Sequence, residues 1–209
     1  MDSNLTALLT LLRNAEPKLS RKKIVGGFDG FIDSIQRVVL NHHENGSLEY
    51  FSKVQDFGHY IAAKETGGLS LETVEVVRKI GGNLPIMANA LSTVGCQTTC
   101  TGAFGFPEID SAFTKMVPSV KLLRSAKPGF TSALEFNDGK IMLSEMSDLN
   151  GASWHHVKER IGLKCIIEEA RTADLFCFLN WSEVVHSNDI WQGFLSEVLP
   201  AIQSPERRR

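Results

Sequence analysis

The sequence predicts an α/β fold built on a parallel sheet with a small β appendage, and three stretches predict it. Leu84, Met87, Ala88 and Leu91 fall at i, i+3, i+4 and i+7, one face of a helix that Gly95 ends; the Thr-rich residues 96–105 behind it read as a strand. Asp174 to Leu179 is a nearly continuous apolar run, which suits a buried parallel strand. Phe130–Phe136 and Ile141–Leu143 flank Asn137-Asp138-Gly139-Lys140, and Asp-Gly between apolar runs is a hairpin signal.

In chain order, residues 1–13 mix leucines with Thr and Arg and lack a basic start, which predicts an amphipathic helix and not a signal peptide. The stretch Lys22 to Ser34 reads as a short strand that ends in glycines and two carboxylates, Asp29 and Asp33. Ligands of open α/β sheets gather beyond the carboxyl ends of strands, so both are placed as candidates. Acidic groups repel phosphate but accept hydrogen bonds from hydroxyls, as a sugar or polyol requires. The plainer alternative stays open: Asp33 caps a turn or helix and Asp29 is solvated. Residues 45–63 begin with the turn signal Asn45-Gly46 and keep no strict period, so they read as an irregular hairpin or lid followed by a helix start.

The helix of Leu84 to Leu91 opens on Gly81, Gly82 and Asn83. Two residues without Cβ let backbone come close to a bound molecule beside the positive end of a helix, although Gly-Gly is also an ordinary turn. Trp154–Thr172 is helical in character, Asn180-Trp181-Ser182-Glu183 sits just past the apolar strand, and Ile190, Phe194, Val198 and Leu199 mark a helix ending near Pro200. The sequence then stops at Glu206-Arg207-Arg208-Arg209. In βαβ logic a further parallel strand should follow that helix, so the sequence reads as cut at its carboxyl end. We expect one α/β domain over residues 1–209, with lid segments at about 40–62 and 130–146 and no dividing linker.

The 209 residues are 43% hydrophobic and 22% charged, the balance of a soluble globular protein. A net charge of -2 and a pI near 6.3 argue against nucleic acid as partner and favour small molecules. No run approaches the roughly 20 apolar residues of a membrane span. Cys96, Cys100, Cys165 and Cys177 lack Cys-x-x-Cys spacing, and a reducing cytoplasm is the simplest setting. The pairs His42-His43 and His155-His156 point apart in regular structure, so no metal site is expected.

Taken together, the Gly81-Gly82-Asn83 loop with its helix and Val94-Gly95 ending, Thr101-Gly102-Ala103-Phe104-Gly105, the first strand with Asp33, and the Asp138-Gly139 hairpin before Asp148-Leu149-Asn150-Gly151 resemble the amino-terminal part of the ribokinase-like (PfkB) carbohydrate kinase family over about residues 22–200. The resemblance implies a three-layer α/β/α ribokinase-like fold, incomplete at its carboxyl-terminal side, with a small β lid. The implied activity is transfer of the γ-phosphoryl of ATP to a sugar or nucleoside hydroxyl. It also implies that Asp33 holds substrate hydroxyls with Asp29 as neighbour, that Gly81, Gly82 and Asn83 line the other side of the sugar, and that Asn180 is a strand-end substrate contact. Ile86 stands where the family commonly has an Asn. ATP and Mg2+ are implied by the family alone, because the Gly-Ala-Gly-Asp-type segment that supplies the phosphate site and catalytic base is absent from this sequence. By the resemblance, that segment and its base Asp are expected beyond Arg209, so no catalytic residue is assigned within residues 1–209. The expectation is therefore a sugar pocket without its catalytic half, inactive alone, with apolar surface that favours self-association.

Two other readings compete. A haloacid-dehalogenase-type phosphatase needs a nucleophilic Asp two residues before Asp29, where Gly27 stands. A sugar-binding or interaction module derived from a kinase, with no activity of its own, fits the same residues.

Overall fold

The computed structural model describes residues 3–64 and 67–203. In chain order the elements are α1 (Ser3–Leu19), β1 (Lys23–Phe28), β2 (Phe31–His42), β3 (Leu48–Tyr50), α2 (Val54–Ala62), β4 (Thr73–Gly81), α3 (Asn83–Thr93), β5 (Gln97–Gly102), β6 (Val120–Arg124), β7 (Gly129–Phe136), β8 (Gly139–Glu145), α4 (Ser147–Asn150), α5 (Trp154–Ile161), α6 (Leu163–Thr172), β9 (Leu175–Phe178), α7 (Ser187–Gly193), a π-helical turn over Phe194–Val198, and α8 (Leu199–Ile202). They form two compact units, residues 1–31, 80–128 and 146–209 in the first, 32–79 and 129–145 in the second. The carboxyl-terminal Arg209, beyond which the catalytic base is expected, lies outside the described residues.

The first unit holds a parallel sheet in the order β6-β5-β1-β9. Its layering follows from register, because partner residues of adjacent strands point to the same face. Gly26 pairs with Cys100, and a Cβ on Gly26 would sit 2.5 Å from Leu84 Cδ1, so this face carries α3. The neighbouring pair Val25 and Thr99 looks the other way, where Thr99 Oγ1 donates 2.9 Å to Glu169 of α6. Helices thus cover both faces, the three-layer α/β/α arrangement expected from the sequence. Phe28, Leu149, Trp154, Val157, Ile166, Ile190, Phe194 and Val198 form the core between strand ends and helices. Gly193 has no room for a side chain there: an added Cβ would lie 2.2 Å from the Trp154 ring.

Three local features depart from expectation. The helical stretch 154–172 is two helices, because Gly162 takes φ +91 between them. The apolar strand β9 is parallel to β1 but not buried, and Leu175 is 51% exposed; among the described residues β9 is an edge strand. Helix α1 forms, yet Leu5, Leu8, Leu9 and Leu11 are all exposed. No described helix is long and apolar enough to cross a membrane.

The second unit is a five-stranded sheet in the order β3-β2-β7-β8, with β4 also paired to β2; the β2–β3 and β7–β8 pairs are antiparallel. It contains most of the stretches 40–62 and 130–146. The β7–β8 hairpin turns on Asn137 and Asp138, with Phe136 paired to Gly139. Asp138 also accepts the Val54 amide at 3.0 Å, which caps α2 where Lys53 cannot. Val38, Phe51, Phe57, Leu134 and Phe136 fill this unit's core.

Candidate functional site

A buried carboxylate at the carboxyl end of β1 organises the first unit's polar corner. Asp29 is fully buried, and its oxygens accept three hydrogen bonds: Oδ2 from the Asn83 amide at 2.7 Å and from Asn180 Nδ2 at 2.9 Å, Oδ1 from the Leu84 amide at 2.9 Å. Asn83 Nδ2 closes the network by donating to Asn180 Oδ1 at 3.3 Å. Asp29, Asn83 and Asn180 are therefore brought together from three separate chain segments.

Each segment has a local reason for its shape. Gly82 takes φ +88, open to glycine, and a Cβ there would meet Asp29 Oδ2 at 2.7 Å. The close approach anticipated for the paired glycines is made, in this unit, by a carboxylate of the chain itself. Gly81 ends β4 and is buried. At the far end of α3, Gly95 at φ +98 donates to the Ser92 carbonyl and Cys96 to that of Leu91, a Schellman ending that fixes the helix. Asn180 follows β9 with φ +54, a conformation that Asn tolerates better than most residues.

Burial pushes the Asp29 carboxyl above the ordinary aspartate value, outweighing the hydrogen bonds from Leu84, Asn180 and Asn83 that favour its charged form. The same geometry decides what α3 can bind. An amino terminus attracts anions through its free amides and dipole. Here the amides of Asn83 and Leu84 face Asp29, and Pro85 has none. This terminus does not fit an ATP phosphate, and no phosphoryl-transfer step is assigned to it. What remains is a corner of carboxamides and glycine backbone suited to neutral hydroxyls.

Asp33 stands in the second unit, inside β2 and not beyond the end of β1, because the chain re-enters extended structure at Phe31. It is half-buried, and burial raises its carboxyl above the ordinary value against the opposing charges of Lys79 and Lys140. Its neighbour Ser34 is buried, donates to Glu75 and accepts from Gln36 at 2.9 Å. Among the described residues no three or more His, Cys, Asp and Glu side chains are grouped as metal ligands. Sequence reasoning misses Leu84 as an amide donor, because the Asp29 cap joins residues 55 apart along the chain.

The sequence profile of the prokaryotic ketohexokinase family matches residues 2–208. The chain belongs to that family. The resemblance to ribokinase-like carbohydrate kinases is thereby borne out. A curated ketohexokinase from Haloferax volcanii is 26% identical over 185 residues, which cover 88% of this chain and 49% of the relative. The chain thus spans about half the length of the curated ketohexokinase that it matches. Among solved structures, a carbohydrate kinase from Agrobacterium tumefaciens is similar with 17% identity and a TM-score of 0.46, over 75% of this chain and 45% of that one. Arabidopsis thaliana ribokinase, solved with ribose and ATP, is similar with 14% identity and a TM-score of 0.44, over 87% and 49% of the two chains.

Proposed function

We propose that this member of the prokaryotic ketohexokinase family forms the sugar-holding part of a carbohydrate kinase, in which the γ-phosphoryl of ATP passes to a ketohexose hydroxyl and leaves ADP. The observation that carries the reading is the network of Asp29, Asn83 and Asn180 at the carboxyl ends of β1 and β9, where open parallel sheets receive ligands. Asn83, Asn180, Gly81 and Gly82 supply groups for sugar hydroxyls, and Asp29 is the positioning residue behind them. Asp33 is assigned hydroxyl acceptance separately. ATP, Mg2+ and a catalytic base are implied by the family alone; residues 1–209 contain no Gly-Ala-Gly-Asp-type segment, so in this reading the 209-residue chain binds sugar without turning it over.

Calorimetric titration of the chain with fructose tests this, with glucose and inosine as comparators. Fructose is expected to bind best. Asp33→Ala and Asn180→Ala each weaken it by about tenfold or more, the loss of a hydrogen bond to an ordered polar group. Unchanged fructose affinity in Asp33→Ala withdraws hydroxyl acceptance from that residue, and preference for inosine replaces the sugar with a nucleoside. Phosphorylation of any sugar by the purified chain, with contaminating kinase excluded, overturns the division of labour.

A further inference from the structure

A second polar site lies in the first unit and shares no residue with the Asp29 corner. One cavity of about 270 Å³ is lined by Phe106, Lys127, Ser147, Asp148, His156 and Arg160, with Gly151. A second, of about 190 Å³, is lined by Arg124, Leu122, Leu123 and Ile161 and shares Phe106 and Arg160 with the first, so the two are halves of one groove. The fold assembles the groove from two elements. Arg124 ends β6 and Lys127 follows in the loop, while His156 and Arg160 stand at i and i+4 on one face of α5.

Arg160 is held in place at the point where the halves meet. One of its guanidinium nitrogens donates 2.5 Å to the Ser125 carbonyl, and its Cζ lies 4.7 Å from the centroid of the Phe106 ring. A guanidinium carries five N–H donors, so this fixing leaves donors for the groove. His156 is oriented by a 2.9 Å hydrogen bond between its Nδ1 and Ser153 Oγ. The acid in the lining is Asp148, 3.9 Å from Lys127, and both side chains are more than half exposed. Such a pair contributes about 1 kcal/mol at most and opens easily. Three permanent cations thus line the groove with one loosely held carboxylate, Lys127 in the first half, Arg124 in the second and Arg160 in both, in a chain whose net charge is -2. That excess is local and not a consequence of overall composition.

We propose that this groove binds a phosphate group, as inorganic phosphate or as the head of a small phosphomonoester whose organic part lies on Phe106. Arg160 provides the fixed donors, Arg124 adds a second guanidinium from the end of β6, Lys127 is the mobile donor, and Asp148 competes with the ligand for Lys127. Occupancy moves Lys127 from Asp148 to the phosphate.

The test is titration of the 209-residue chain with inorganic phosphate at constant ionic strength, followed by calorimetry and by phosphorus NMR line width. Saturable binding is expected, weakened roughly threefold to tenfold by Lys127→Met and by Arg124→Met, and tightened roughly threefold by Asp148→Asn. Neither Arg124 nor Lys127 belongs to the buried core, and an unchanged thermal midpoint confirms that each variant is folded. Asn180→Ala leaves phosphate binding intact, which separates this site from the sugar corner whatever the fate of that reading. Glycerol phosphate binding more tightly than inorganic phosphate identifies the phosphomonoester, and equal affinities identify the phosphate group alone. Absence of saturation, or identical curves for wild type, Lys127→Met and Arg124→Met, overturns the proposal.

Discussion

The Oδ2 atom of Asp29 lies 2.7 Å from the backbone nitrogen of Asn83, 54 residues further along the chain. Because Gly82 offers no side chain to cap α3, the cap comes from the link after β1. One carboxylate therefore joins strand and helix, satisfies two amides that the helix leaves open, and holds the Asn180 carboxamide at the sheet's edge.

That arrangement predicts the effect of Asp29→Asn, which keeps size and removes one acceptor. However the new carboxamide turns, its NH2 meets at least one of three N–H groups and leaves a buried donor without a partner. Such a donor costs about 1 to 3 kcal/mol. Urea unfolding is expected to show a lower midpoint with unchanged slope. A midpoint equal to that of the wild type would mean that α3 is held by its packing on Gly26 and not by its cap.

How much of this was legible in the sequence follows from range. The helix of Leu84 to Leu91, its stop at Gly95 and the Asp138-Gly139 hairpin rest on neighbours within a few residues, and all are present. β4 is hard to read because its residues are mostly exposed, Val76 and Val77 among them, so no face alternates clearly. The strand β2, mostly buried, hides for a different reason, behind Asp33, whose polar side chain reads as the end of a strand and stands inside one. The pairing of Asp29 with Asn83 and Leu84 spans more than fifty residues, and no local pattern encodes it.

The second prediction concerns acid stability. Glu197 accepts from Lys158 at 2.8 and 3.0 Å and from Trp154 Nε1 at 2.8 Å, tying the π-helical turn to α5. The Lys158 hydrogen bond, then that of Trp154, holds the Glu197 carboxyl below the ordinary glutamate value. A lowered folded value means stability that is complete above the unfolded value near 4.3 and is lost as pH falls through the folded one. Both side chains are about one-third exposed, so the contribution is on the order of 1 kcal/mol or less after solvent screening. Thermal midpoints of wild type and Glu197→Gln should differ most near neutral pH and converge as acidification carries the pH through the lowered folded-state value. A gap that widens on acidification would refute the assignment. Asp29 and Asp33 act with the opposite sign: their raised values favour the fold below the ordinary aspartate value and lose that contribution as pH rises.

The third prediction uses the thiols on the α3 face of the sheet. Cys100 and Cys177 flank Gly26 in register, one strand away on either side, which sets them about 10 Å apart, beyond disulfide reach. Both are free. Burial pushes the Cys100 thiol up to about 12, with the charges of Asp29 and Cys177 adding to the effect. Only the thiolate attacks an alkylating reagent, so at pH 8 about one Cys100 in ten thousand is reactive, before access is considered. Peptide mass spectrometry after iodoacetamide should find Cys100 unmodified in the native chain and fully modified in urea. Rapid native labelling at Cys100 would mean that α3 does not stay closed over Gly26, and the Asp29 cap that holds its amino terminus would fall with it.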